Sequence, residues 1–227
     1  MYNLIIENKE LLKIFYALII GIICAIIVIK TDRLFRLSFH QGIRYFRNAF
    51  LFYGLAFFTR YFIEIFYKYN LISRIYSSFI DFVFEFFLIM AGFFLLYSLL
   101  WKKIEFSRGR SSSSLFNLNI LIFYLMAFVI ALLDYLWGTR SFMFFSQIVL
   151  FTFASGISYN NHRRNGRHHR FLKFYFIAML LSLLAWLLNS ASLYFQWNQV
   201  ILIGVYLSNI IIFLLFLYGI VKVTRKW

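Results

Sequence analysis

Apolar runs long enough to cross a bilayer recur seven times along the chain, divided by short polar stretches. A hydrocarbon core about 30 Å thick needs roughly 20 apolar residues in a helix. The runs predict membrane-spanning helices at 11–29, 47–67, 79–101, 117–137, 142–158, 171–191 and 199–221. Helix is the expected state, because an open strand in lipid leaves backbone N–H and C=O groups without partners. The second run is the weakest, since Arg60 and Glu64 interrupt it, but the alternation of charge along the chain requires it.

Basic residues orient the helices. Lys30, Arg33, Arg36, Arg44 and Arg47 follow the first span, and Lys102, Lys103, Arg108 and Arg110 follow the third. Arg163, Arg164, Arg167, Arg170 and Lys173 follow the fifth, and Lys222, Arg225 and Lys226 close the chain. Of the 23 Lys and Arg residues, only Lys9, Lys13, Arg60, Lys68, Arg74 and Arg140 fall at the opposite end. Positively charged loops stay on the cytoplasmic side. The expected fold is therefore all-α: one bundle of seven transmembrane helices, with the N-terminus outside and the C-terminus inside. The plasma membrane is the expected location, and the first span reads as a retained helix, with Glu7 and Glu10 before it and no small-residue cleavage site after it.

Composition strengthens this picture. Hydrophobic residues make up 63% of the 227 and charged residues only 14%, against about one quarter charged in a soluble domain. The net charge of +15 is divided among loop collars, where it meets anionic lipid headgroups. Nucleic acid is not an expected partner, because its binding faces are continuous. One cysteine, Cys24, excludes an intrachain disulfide and a multi-cysteine zinc site. Proline is absent, so proline-broken helices are not available as gates.

The connections hold no second domain. Asp32 to Phe39 alternates basic and aromatic residues and suits an interfacial helix, with Asp32 as its N-terminal cap. Ser107-Arg108-Gly109-Arg110 and the serines to Ser114 read as a flexible tether. Spans one to three and five to seven share one layout, as a three-plus-one-plus-three arrangement has, though residue-level similarity is slight.

Candidate chemistry lies in the ionisable residues inside spans, which are costly there and need partners. Arg60 and Glu64 lie one turn apart on the second span, and Asp81 and Glu85 one turn apart on the third. Asp134 ends the fourth, Asn189 holds a similar level on the sixth, and Asn209 lies deeper on the seventh. These residues suggest a polar cavity in the outer half, with four acids against one arginine. Such a site suits a small cationic ligand, a proton or an ion, with Glu85 its central residue. The competing expectation is that the charges pair and only hold helices together.

Other chemistries find little support. His40, His162, His168 and His169 all fall in predicted inner loops, the last three among arginines that repel a metal ion. No metal site or cofactor is expected. The seventh span has no lysine for a retinal Schiff base, and no hydrolase, zinc-protease or phosphate-loop motif occurs. An enzyme is not expected. The leading expectation is a small transporter or permeation protein; the alternatives are a seven-helix receptor without retinal and a scaffolding subunit of a membrane complex.

Overall fold

The computed structural model describes residues 9–68, 74–105, 118–164, 170–194 and 199–224. They form seven helices: α1 Lys9–Ser38, α2 Gln41–Lys68, α3 Arg74–Glu105, α4 Leu118–Trp137, α5 Ser141–Arg164, α6 Arg170–Tyr194 and α7 Gln199–Thr224. Each contains one of the seven apolar runs. Among the described residues, six of the helices are long and apolar enough to cross a membrane. The exception is α2, interrupted by Arg44, Arg47, Arg60 and Glu64.

The fold accommodates α2 by enclosing it. It packs against α1 on one side and α3 on the other, and Asn48, Ala49, Phe50, Tyr53 and Ala56 are all buried. A helix with polar groups in an apolar medium turns them toward the bundle interior. The opposite case is α4, where Leu121, Leu125, Phe128 and Leu136 all lie on the surface. Exposed side chains such as Ile22, Phe145, Phe153 and Leu207 continue this apolar belt around the other helices. A surface of that kind matches lipid and not water.

Packing closes a ring. Starting from α1, the order of contacts is α2, α3, α5, α6, α7 and back to α1, and α4 stands outside against α3 and α5. Each junction has identifiable chemistry. Phe52 of α2 stacks with Phe94 of α3 at 5.2 Å. At the α3–α5 junction the Gln147 amide donates to the Leu88 carbonyl at 3.0 Å. Trp186 of α6 meets Phe144 of α5 edge-on at 5.8 Å. Tyr16 of α1 stacks on Tyr206 of α7 at 4.7 Å, and Asn209 donates to the Tyr16 hydroxyl at 3.1 Å. The two helix triplets that share one charge layout meet at α3–α5 and at α7–α1, with unlike residues at the two junctions.

One expectation is corrected. Asp32 to Ser38 does not form a separate interfacial helix, because α1 runs through it to Ser38. Asp32 is therefore no cap. It pairs with Arg36 one turn on, at 3.0 Å, and with Arg47 of α2. These two cations hold Asp32 at the membrane boundary and allow the helix to continue past its apolar run. The turn to α2 then takes only two residues, Phe39 and His40. Phe39 adopts a left-handed backbone, φ 51°, and its N–H returns to the Phe35 carbonyl at 2.8 Å, satisfying one carbonyl at the helix end.

Two glycines mark close approaches between helices. A Cβ on Gly42 would stand 2.6 Å from the Trp101 Nε1, where the start of α2 crosses the end of α3. A Cβ on Gly92 would stand 2.8 Å from the Gln147 Oε1 and 3.1 Å from a Leu150 methyl. Gly204 on α7, by contrast, has nothing within 4 Å of that position. Gly92→Ala is expected to displace Gln147 and lower stability by about 1–3 kcal/mol, whereas Gly204→Ala changes it by less than about 1 kcal/mol. Thermal unfolding of both variants in one detergent measures the difference. Equal stability would refute the close α3–α5 packing at Gly92.

Candidate functional site

At the charge-poor end of the bundle, the short connection between α4 and α5 builds the site. α4 ends in Gly138, whose φ of +63° is a conformation that glycine adopts without steric cost. The Thr139 N–H reaches back to the Asp134 carbonyl at 3.1 Å, and the chain turns sharply into α5. The first N–H groups of α5 need acceptors, and the buried Asp134 carboxylate supplies them. It accepts from Phe142 N at 3.0 Å and Met143 N at 2.6 Å, and from the Thr139 hydroxyl at 3.2 Å. With its oxygens so engaged, Asp134 fixes the connection.

That connection delivers Arg140 to α3. Its Nη2 lies 2.9 Å from Asp81 Oδ1 and its Nε 3.5 Å from Glu85 Oε1. Glu85 is buried, 4% exposed, while Asp81 is 41% and Arg140 32% exposed. One turn of α3 separates the two acids, so both stand on the same face and grip one guanidinium. A buried carboxylate is costly without a cation, and Arg140 places one beside Glu85.

Inside the ring, below this triad, lies a cavity of about 250 Å³. All six ring helices contribute to its wall; α4 does not. Arg60 and Arg140 face it at the charge-poor end, with Asn189 of α6 and Asn209 of α7. The Arg60 guanidinium carbon lies 4.6 Å from the centre of the Phe84 ring, a cation–π distance. Farther in, the wall changes to Leu95, Phe151, Ile212 and Phe216. The cavity is thus polar at one end and aromatic or aliphatic at the other.

Beneath the cavity an aromatic layer fills the bundle. Tyr45 and Tyr97 meet edge-on at 4.5 Å, Phe46 contacts Tyr175 at 5.8 Å, and Phe50 contacts Phe216 at 5.2 Å. The Tyr175 hydroxyl and Ser98 Oγ lie 3.2 Å apart, tying α6 to α3. Tyr45, Phe50 and Tyr97 are fully buried. This layer separates the cavity from the basic end.

The residues expected from sequence divide into two groups. Arg60, Asn189 and Asn209 line the cavity. Asp81 and Glu85 hold Arg140 from α3, and Asp134 serves backbone N–H groups; none of the three is part of the cavity wall. The Glu64 side chain lies outside the described residues, as do His168, His169 and the serines from Ser107 to Ser114. Among the described residues, no three His, Cys, Asp or Glu side chains converge as metal ligands do.

Sequence reasoning missed Arg140, Trp186, Tyr16 and Tyr206. For Arg140 a signal existed: a cation in the short connection between two apolar runs, six residues after an acid. For the aromatic residues there was none, because 23% of the chain is aromatic and helical spacing does not distinguish wall from filler. Among known proteins, the chain matches no family model, no curated protein and no solved structure, so the functional reading rests on this geometry.

Arg140→Gln removes the cation from a buried carboxylate and is expected to cost about 2 kcal/mol, less than a fully buried pair because Arg140 and Asp81 are partly exposed. Adding Glu85→Gln is expected to recover part of that loss, a coupling of about 1 kcal/mol in a double-mutant cycle. Additive losses would show that the two residues do not interact. Asp134→Ala is expected to lose about 1–2 kcal/mol through the uncapped α5, and Asp134→Asn less, as it keeps one acceptor oxygen; equal losses in thermal unfolding would argue against the cap.

Proposed function

We propose that this chain is a small membrane carrier that holds its solute in the cavity within the ring, with the N-terminus outside the cell and the basic loops in the cytoplasm. The observation that carries the reading is the cavity itself: a polar mouth toward one face, an apolar interior, and a contribution from every ring helix. Ligand sites combine largely apolar walls with a few convergent polar groups. Between the helices of a membrane bundle, such space is otherwise filled by side chains, as the aromatic layer beneath it is. The orientation is supported by the basic residues gathered at the opposite end, including Arg33, Arg44, Arg163 and Lys222.

In this reading the aromatic layer around Tyr45, Tyr97 and Tyr175 is the inner gate, and the structure corresponds to the state open toward the N-terminal side. Movement of solute requires a second state in which that layer parts and the mouth at Arg60 and Arg140 closes. The two triplets, α1–α3 and α5–α7, are the natural bodies to move against each other, with α4 outside the ring as their link. The sealed layer also favours a second reading, a receptor whose cavity only ever opens outward and whose ligand shifts the helix ends.

Access from the two faces separates these readings. In a Cys24→Ala background, Ser182→Cys places a thiol on the cavity wall. Ala178→Cys places one a turn farther along α6, beside Phe46, Tyr175 and Phe216. A membrane-impermeant thiosulfonate is expected to reach the first from the outer face. It is expected to reach the second from the inner face in inverted vesicles. Failure of the second to react from the inner face under any condition would reject the carrier and leave the receptor.

A further inference from the structure

We infer that the solute of this cavity is a small uncharged aromatic molecule with one N–H or O–H donor, its ring among the aromatic side chains of the wall and its donor on Asn209. The inference rests on the reading of the cavity as a ligand site, and it names the class of ligand that site takes. It departs from the cationic ligand, proton or ion that the sequence suggested, for a structural reason. The charges at the mouth are engaged with one another. Arg140 holds Asp81 at 2.9 Å and Glu85 at 3.5 Å. Glu85 also feels the charge of Arg60, whose guanidinium carbon lies 4.6 Å from the centre of the Phe84 ring. Asp134 is taken up by the start of α5. Each guanidinium on the wall thus stands against carboxylate charge, and the mouth calls for a charged solute of neither sign. A charge moved from water into the bundle needs a partner there.

The wall below the mouth selects the body. Of its 22 residues, 11 are aromatic, against 23% of the chain, so rings gather here beyond their general abundance. They are also arranged. Phe213 of α7 meets Phe50, Tyr53 and Phe57 of α2 edge-on, at 5.9, 5.4 and 6.3 Å. Trp186 of α6 forms a second group with Phe144 and Phe151 of α5. Aromatic rings prefer edge-to-face and offset contacts, and a flat solute of one or two rings can join such an array. The volume of about 250 Å³, roughly eight times a water molecule's share of the liquid, suits that size. A lipid acyl chain would have to pass a junction between helices, and the six touch all the way round the ring.

The uncharged polar groups of the wall select a donor. The Asn209 amide N–H donates to the Tyr16 hydroxyl at 3.1 Å. An amide also carries an oxygen with two lone pairs, and that of Asn209 accepts no hydrogen bond among the described residues. Ser182 gives its hydroxyl hydrogen to the Ala178 carbonyl at 2.8 Å, so it too offers the cavity an acceptor and not a donor. A hydroxyl or N–H on the edge of the solute ring answers the Asn209 oxygen. A sugar, which carries hydroxyls all round, would leave several of them unpaired against a wall so largely aromatic.

The experiment uses the full chain in phosphatidylcholine nanodiscs and follows thermal unfolding against added indole. Tryptamine and indoleacetate carry the same rings with a positive or a negative charge, and N-methylindole lacks the donor. A ligand that binds the folded state selectively raises its melting temperature in a saturable way. Indole is expected to do so, with both charged relatives weaker by about tenfold or more, since an unpaired charge is costly to bury. N-methylindole is expected to bind about threefold or more weakly than indole, because a hydrogen bond is lost. Asn209→Leu is expected to remove that difference. Ser182→Phe puts a ring into the cavity and is expected to abolish the saturable shift, while partition of indole into the lipid stays the same. The wild-type comparison of the four compounds needs no variant, so it stands even if either variant folds poorly.

Equal or tighter binding of either charged relative would overturn the uncharged class, and so would the absence of any shift with indole. An indole shift of unchanged affinity in Ser182→Phe would put the binding outside the cavity and overturn the site. A preference for indole over N-methylindole that survives Asn209→Leu would overturn the placement of the donor. Stabilisation by phosphatidylglycerol nanodiscs with none from indole would point to a lipid and equally overturn the small solute. The accessibility of Ser182→Cys is measured without ligand. A cavity reachable from both faces combined with no binding of indole therefore rejects the ligand class alone. A cavity never open inward rejects the carrier, whatever it binds.

Discussion

The grip of Asp81 and Glu85 on Arg140 is the constraint on which the charge-poor end of the bundle depends. Glu85 is buried, and burial of a carboxylate is tolerated only beside a compensating charge. That charge arrives from a different part of the chain, on a turn whose conformation is set by Gly138 and by the capping of α5 by Asp134. Three separate requirements therefore meet in one place: a buried acid needs a cation, a helix start needs acceptors, and two antiparallel helices need a tight turn. Each solution supports the others, since the turn that Asp134 fixes is also what carries Arg140 to α3.

The ring around the cavity follows from a similar economy of polar groups. Gln147, Asn209 and Tyr16 make their hydrogen bonds at the α3–α5 and α7–α1 junctions, where side-chain polarity is hidden from lipid. Many of the other helix contacts are aromatic, and in a medium as apolar as the side chains themselves, association rests on fit and not on release of water. Gly92 under Gln147 and Gly42 under Trp101 show that fit at its closest. With six helices in a closed ring, the seventh has no place inside, and α4 accordingly shows an apolar surface on most sides.

Much of this architecture was legible in the chain. Runs of about 20 apolar residues predicted seven helices near their observed positions, because a bilayer leaves the backbone few other ways to satisfy itself. Boundaries were less legible: α1 continues through Asp32 and Arg36 because ion pairs with Arg36 and Arg47 support a helix that hydropathy alone would stop. The candidate site was half legible. Arg60, Asn189 and Asn209 could be picked out as polar residues in apolar runs, and they do share a cavity wall. The acids were picked out by the same signal, yet they serve Arg140 and the start of α5 instead.

What the sequence determined by itself is the medium, the helices and the separation of a basic end from a charge-poor one, since each follows from local composition and the length of apolar runs. Tertiary structure alone decided which helices touch, that α4 lies outside the ring, and which charges face the cavity. The reason is physical. Hydropathy tells how strongly a residue avoids lipid but not which neighbour it turns to, so four acids and a few cations can be arranged with either sign toward the cavity. Here Arg140 turned to α3, taking Asp81 and Glu85 as partners, and among the described residues these two acids stand behind the cavity wall and not in it.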